Sequence, residues 1–236
     1  MQEGRIVKLE AQVESLGGLL IRAFGKFLFF RPMMVNDRLI ERIESEGRGP
    51  GFSQLRNWLY WDFIQELLKI CDDTDHRAPS IRQLKRELDD TETLRILKEK
   101  YSRRIWPHIH GEKRQIAQYF QKREEFELGS AFDDTYRRFK HNSAELLASK
   151  ALAGYRTIRH KLIAHNELRK SIAGYTFLDL KDLKLKYGQE RKLLEMTQSV
   201  VDDLDLLVRN SFFVWDSFFE QEKKKVCKFW EIETIE

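Results

Sequence analysis

The run Tyr155-Arg-Thr-Ile-Arg-His-Lys-Leu-Ile-Ala-His165 sets an arginine, Arg159, five intervening residues before a histidine, His165. On a helix, at about 100° per residue, Ile158, Leu162 and His165 fall on one stripe with i, i+4, i+7 spacing. The imidazole then lies on the side of the apolar contact face. Arg159 is long enough to bend toward it, above all where two such helices meet. A histidine titrates near neutral pH and can take or return a proton, which contributes about 10²–10⁴-fold to a rate. An arginine stays charged and offers a planar fork of donors to a phosphate gaining negative charge. By analogy with an oxyanion hole, losing one such donor costs about 3–4 kcal/mol. With RNA the 2′-hydroxyl is an internal nucleophile, so no metal is needed to generate one. DNA lacks that hydroxyl, and the chemistry predicts RNA selectivity. Spacing alone also fits a plainer arrangement, a partly buried helix-end histidine and an arginine ion-paired at the surface.

Other catalytic signatures are missing from the sequence. There is no glycine-rich phosphate loop, no G-x-S-x-G elbow and no Cys-x-x-Cys pair. His108-Ile-His110 could chelate a metal, but no cysteine or second His-carboxylate set accompanies it, and surface or turn histidines are the simpler reading. No metal and no cofactor is expected. Cys71 and Cys227 cannot form a disulfide framework and read as free thiols of a reducing compartment.

The motif sits in a basic part of the chain. The net charge of +4 is small, the balance of 42 Lys+Arg against 38 Asp+Glu over 236 residues. Between Tyr101 and His160, however, twelve Lys/Arg face seven acids, a surplus of five. Such a stretch suits a polyphosphate, and it also suits solvated helix faces.

The elements that must position the motif are helical. Apolar residues recur at three- and four-residue spacing almost throughout, and sustained alternation is nearly absent. Only 12 Gly and 4 Pro argue against a sandwich or barrel, and 42% hydrophobic residues argue against disorder. The pattern predicts a helix over Arg5–Phe30 ended by Pro32, then one capped by Asn36 or Asp37 that stops before Gly47-Arg-Gly-Pro-Gly51. Next comes a helix over Phe52–Cys71 with Leu55, Trp58, Leu59, Phe63, Leu67 and Ile70 on one apolar face. Ser80 caps a helix that turns Ile81, Leu84 and Leu88 inward, and Thr91 or Thr93 caps another through Leu94, Leu97 and Tyr101. Pro107 breaks the pattern. A helix around Glu112–Glu127 follows, Gly129-Ser130 restarts the chain, and a long helix runs toward His165. Asn166–Gly188 is the least regular part, with Tyr175-Thr-Phe-Leu as a short extended piece and Asp179–Leu185 as a helical turn or two. A final long helix from Gln189 carries the aromatic cluster Phe212, Phe213, Trp215, Phe218 and Phe219, read as ordinary core or a dimer contact.

The charged N-terminal residues do not make a signal peptide, and Leu16–Phe30, interrupted by Arg22 and Lys26, is too short and too charged to span a bilayer. That run reads as an amphipathic core helix, with membrane-surface docking through Phe24, Phe27, Phe29 and Phe30 as the minor alternative. A cytoplasmic protein with no membrane partner is expected.

Arg159-His-Lys-Leu-Ile-Ala-His165 resembles the signature of HEPN domains, an Arg followed after four to six residues by a His, with His160 in the polar place that often follows the Arg. The wording is most similar to the abortive-infection AbiU-type branch. Leu68-Lys-Ile-Cys-Asp-Asp73 with Ser80-Ile-Arg-Gln-Leu84 resembles that branch's upstream helix and loop. Phe177-Leu-Asp-Leu-Lys-Asp-Leu183 resembles its downstream part. The resemblance implies an all-α HEPN-like bundle with two long antiparallel helices. It further implies a homodimer that brings two Arg…His motifs into one cleft. Many members are metal-independent RNases of phage defence or toxin–antitoxin systems, so RNA and an antitoxin protein are the partners it suggests. By motif match, Arg159 would stabilise phosphate charge, His165 would act as acid or base, and His160 would orient them. To these we add Arg156 and Lys161 as RNA-backbone contacts. Some toxin members carry a modified Tyr two residues after the His; here that place holds Glu167. Residues 1–50 read as an N-terminal helical extension and 51–236 as the HEPN-like domain. A non-catalytic helical module that binds RNA, a nucleotide or a protein is the alternative.

Overall fold

The computed structural model describes residues 2–73, 75, 78–102, 113–160, 168–171, 174–177 and 188–235. Among them the chain forms an all-α bundle of ten helices with one two-stranded hairpin. The helices are α1 (Gln2–Phe30), α2 (Pro32–Val35), α3 (Asp37–Ser45), α4 (Gly49–Asp72), α5 (Ile81–Leu88), α6 (Thr91–Ser102), α7 (Lys113–Ala148), α8 (Lys150–Ile158), α9 (Gln189–Arg209) and α10 (Trp215–Trp230). No helix of the described residues is long and apolar enough to cross a membrane.

α1 packs against both α4 and α9, and α7 packs against α9 and α6. The stripe Leu9, Val13, Leu16, Leu20, Phe24 and Phe27 on α1 is buried throughout. Each fully buried side chain of this kind contributes about 1.5–3 kcal/mol. Side-chain pairing sets the directions of the helices. Arg22 on α1 bonds Glu66 on α4 at 3.2 Å, and Lys26, one turn on, reaches Glu66 at 3.1 Å and Asp62 at 2.7 Å. The contacts climb α1 as they descend α4, so the two are antiparallel. The same holds for α7 and α9: Arg138 bonds Asp203, while Asn142 bonds Ser199 at 3.1 Å.

Phe24, Phe27 and Phe30 are buried and Phe29 packs at a tilt on Phe229 and Trp230 at 4.8 and 5.3 Å, which overturns the membrane-docking alternative for these four rings. On α4, Phe63, Leu67 and Ile70 are buried as expected, but Leu55 and Trp58 are exposed. The apolar face is realised only in the half of α4 that lies between its neighbours, where Ile64, Leu68 and Cys71 widen it.

Side-chain caps set four of the helix starts, those of α3, α5, α6 and α8. Asn36 Oδ1 accepts the Leu39 N–H at 2.9 Å, and Ser80 Oγ accepts that of Gln83 at 3.3 Å. The cap of α6 is Asp90 rather than either threonine: its carboxylate accepts both the N–H and the hydroxyl of Thr93, at 3.2 and 2.6 Å. A carboxylate at this place also meets the positive end of the helix dipole. α4 begins at Gly49, inside the Gly/Pro run, because a proline fits the first turn of a helix, where its missing N–H is not needed.

One expected break is moved and one unexpected break appears. α7 runs straight through Gly129-Ser130. A mid-helix glycine costs only about 1 kcal/mol against alanine, and here it lets α6 approach: a Cβ at Gly129 would meet Lys98 Cε at 3.3 Å. The chain breaks instead at Ser149, where Ser149 Oγ accepts the Leu152 N–H at 3.2 Å and starts α8. The long final helix is two helices. Asn210 adopts a left-handed conformation (φ 51°), which asparagine tolerates, and ends α9. α10 then folds back on α1, with Trp215 and Phe219 at 5.1 and 4.9 Å from the Phe24 ring. The aromatic cluster is thereby split: Trp215, Phe218 and Phe219 pack on the core, while Phe212 and Phe213 are exposed.

The hairpin pairs β1 (Leu168–Ser171) with β2 (Gly174–Phe177), antiparallel, Leu168 opposite Phe177 and Ser171 opposite Gly174. The extended piece expected at Tyr175 is thus one strand of a pair. Pro107, the His108/His110 pair and the Asp179–Leu185 turns lie outside the described residues.

Candidate functional site

The motif segment is presented by α8, which touches α4, α7 and α9. Leu152, Tyr155 and Ile158 form its buried face. Tyr155 is 1% exposed. The Tyr60 hydroxyl of α4 donates to the Tyr155 hydroxyl at 3.2 Å. Burial pushes the Tyr155 phenol far above the ordinary range, and Tyr60 and the Glu190 carboxylate of α9 add to the shift. Glu190 is itself buried, and its two oxygens accept the Gly188 N–H at 2.9 and 3.0 Å. This phenol therefore stays neutral and pins the motif helix between α4 and α9.

With that face fixed, Arg156 turns toward the end of α4. Its Nε lies 2.5 Å from Asp72 Oδ2. Arg82 of α5 holds the other oxygen of the same carboxylate. One carboxylate thus serves two guanidinium groups. Burial lowers the Arg156 pKa; Asp72 opposes this, while the nearby charges of Arg82 and Arg159 reinforce it. The Asp72 contact is an ion pair rather than a directed bond, since Nε and Nη2 of Arg156 are enclosed and make no hydrogen bond among the described residues.

Behind Asp72, Cys71 is fully buried, with Sγ 3.4 Å from Thr197 Oγ1 on α9. Burial pushes the thiol up to about 12, which Thr197 and Arg156 offset only in part. A thiol held protonated is a poor nucleophile, so Cys71 is a packing contact between α4 and α9.

Arg159 closes α8. Its backbone N–H reaches the carbonyls of Tyr155 and Arg156, and the turn widens into a π-type turn at Arg159-His160. Such turns recur at functional sites. Arg159 is half-buried and His160 exposed. Of the site residues expected from sequence, Arg156, Arg159 and His160 are therefore placed along one helix end. Lys161 and His165 lie outside the described residues, as does Glu167. Of the expected Ile158, Leu162, His165 stripe, only Ile158 is described, and it is buried.

Asp72, Arg82, Tyr60 and Tyr155 were not singled out as site residues by spacing. Asp72 and Arg156 are far apart in the chain, and only the packing of α4 on α8 brings them together. The arrangement amounts to two arginines, Arg82 and Arg156, on one carboxylate at the end of a rigidly seated helix, with Arg159 close to Arg156. An anion with several acceptor oxygens, such as a phosphodiester, complements the excess charge.

The all-α bundle carries Arg159 and His160 where its motif helix α8 ends. A family model described as AbiU2, of HEPN type, matches residues 6–229. That span is nearly the whole chain, and the protein belongs to the AbiU2 family of HEPN-type abortive-infection proteins. No curated protein and no solved structure matches it significantly.

Proposed function

We propose that this protein is a homodimeric, metal-independent endoribonuclease, cytoplasmic and acting in phage defence or as the toxin of a toxin–antitoxin pair. The observation that carries the reading is the cationic end of α8, where Arg159 follows Arg156 next to a carboxylate already shared with Arg82, in a chain of the HEPN-type family. In this reading Arg159 binds the phosphate and stabilises the charge it gains as the 2′-oxygen attacks phosphorus. His165 removes the proton from the 2′-hydroxyl. The P–O5′ bond breaks, and the leaving oxygen takes a proton from the His165 of the second protomer. His160, Arg156 and Lys161 steady the RNA backbone around the reacting phosphate. An antitoxin protein is the further partner for a toxin role.

Purified protein in excess chelator, given RNA and DNA of one sequence, tests this. The expected outcome is RNA cut to 2′,3′-cyclic phosphate and 5′-hydroxyl ends, with DNA intact, by a species of twice the 28.3 kDa chain mass. A strict need for a divalent ion would remove the metal-free mechanism. Tight RNA binding without cleavage would select a non-catalytic binding module instead.

A further inference from the structure

A second basic feature adjoins the motif helix without belonging to it. α5 and the C-terminal end of α7 enclose a groove of about 360 Å³. Arg82, Lys85, Arg86 and Asp89 line one side, and Leu147 and Ala148 the other. Arg82, Lys85 and Arg86 share a face of α5 because their i, i+3, i+4 spacing places them one turn apart, about 5–6 Å between neighbours. The inner face of the same helix is fixed by Ile81, Leu84 and Leu88, all 0% exposed, so the cations cannot rotate inward.

The charges of this groove are poorly neutralised. Asp89 is shared by Lys85 at 3.4 Å and by Lys140 of α7 at 3.8 Å. Arg82 shares Asp72 with Arg156. Arg86 is exposed and has no ion-pair partner among the described residues. Glu87, on the same helix, accepts a hydrogen bond from Gln83 at 3.2 Å. Arg82 belongs to both features, so the two meet at Asp72, with Arg82, Lys85 and Arg86 on the α5 side and Arg156 on the α8 side. The α7 side of the groove is apolar, lined by Ala144, Leu147 and Ala148.

We infer that the α5 face formed by Arg82, Lys85 and Arg86 is a second phosphate-binding subsite, which holds the backbone of a single-stranded RNA away from the bond at Arg159. This rests on the RNase reading for the identity of the strand. The subsite contacts phosphates and no base edges, so it adds affinity without adding sequence preference. It lengthens the bound strand beyond what α8 alone can hold.

A 2′-O-methyl RNA oligonucleotide keeps every phosphate but cannot be cut through its 2′-oxygen, so binding can be read apart from cleavage. Its dissociation constant is measured against salt for the wild type, Arg86→Gln, Lys85→Gln/Arg86→Gln, and Lys223→Gln, the last an exposed lysine of α10. Each lost phosphate contact on a single strand should make the log–log salt slope shallower by about 0.7. The expected result is a shallower slope by about that much for Arg86→Gln and about twice it for the double variant, with affinity down about 10-fold or more and Lys223→Gln unchanged. Equal slopes in the wild type and both α5 variants would overturn the subsite, as would a wild type that does not bind the oligonucleotide. Cleavage of ordinary RNA, run alongside, reports on the RNase reading separately. Groove-dependent binding without cleavage would retain the subsite and remove the nuclease, and cleavage with unaltered slopes would do the reverse.

Discussion

Asp72 Oδ2 lies 2.5 Å from Arg156 Nε, joining the last residue of α4 to the motif helix α8. The side chains are 12% and 25% exposed. Removing the carboxylate leaves Arg156 enclosed beside Arg82 and Arg159 with nothing to offset them. Asp72→Ala should lower stability by about 1–3 kcal/mol, read as a fall in the urea midpoint. Asp72→Ala combined with Arg156→Leu should lose less than the sum of the two single changes, since the double variant has no stranded charge. Full additivity would mean that the ion pair does no structural work.

Tyr155 gives a prediction at high pH. Its phenol is pushed up in the folded protein by burial first and then by Tyr60 and Glu190. The folded state therefore keeps a proton that the unfolded state releases near pH 10. Stability from this group is full below pH 10 and falls as pH rises beyond it. Tyr155→Phe should cost about 1 kcal/mol at pH 7 by removing the Tyr60–Tyr155 hydrogen bond, and should flatten the alkaline loss of stability. Chemical denaturation from pH 8 to 11 measures both. An unchanged alkaline slope would place the titrating group elsewhere.

Asp202 gives the acid-side counterpart. Burial raises its pKa; the hydrogen bond from Trp215 Nε1 at 2.9 Å opposes this, and the charges of Asp203 and Asp205 reinforce it. A carboxyl raised in the folded state binds protons there that the unfolded state has already lost. Its contribution is present below the ordinary value of 3.8 and is lost as pH rises through the folded pKa. Asp202→Asn keeps an acceptor for Trp215 and removes the penalised charge. Thermal melts from pH 4 to 7 should show a higher Tm for the variant at pH 7 and convergence with the wild type toward pH 4. A variant less stable at pH 7 would show that the charge itself holds α9 to α10.

How far the fold was legible follows from where each signal is stored. Local chemistry read well. Asn36 and Ser80 cap as expected, and Ile81, Leu84 and Leu88 are buried at their helical spacing. Breaks read less well because a glycine or a long apolar run has two outcomes that only tertiary packing decides. Gly129 is absorbed into α7 by the approach of α6, and the run after Gln189 is cut at Asn210 so that Trp215 can pack on Phe24. Of the candidate site, the sequence showed Arg156, Arg159 and His160 as neighbours on one helical segment. The partners that seat it, Asp72, Arg82, Tyr60 and Glu190, come from three other helices, and no local spacing encodes their meeting.

In the proposed function Arg159 and His165 cut RNA without a metal. The most direct measurement is the cleavage rate of an RNA substrate in excess chelator by the wild type, Arg159→Ala and His165→Ala, each confirmed folded by its melt. The expected outcome is metal-free cleavage by the wild type, a loss of about 10²-fold or more for His165→Ala, and a loss of about 10²–10³-fold for Arg159→Ala. Wild-type rates in both variants, or a wild type inactive until a divalent ion is added, would contradict it.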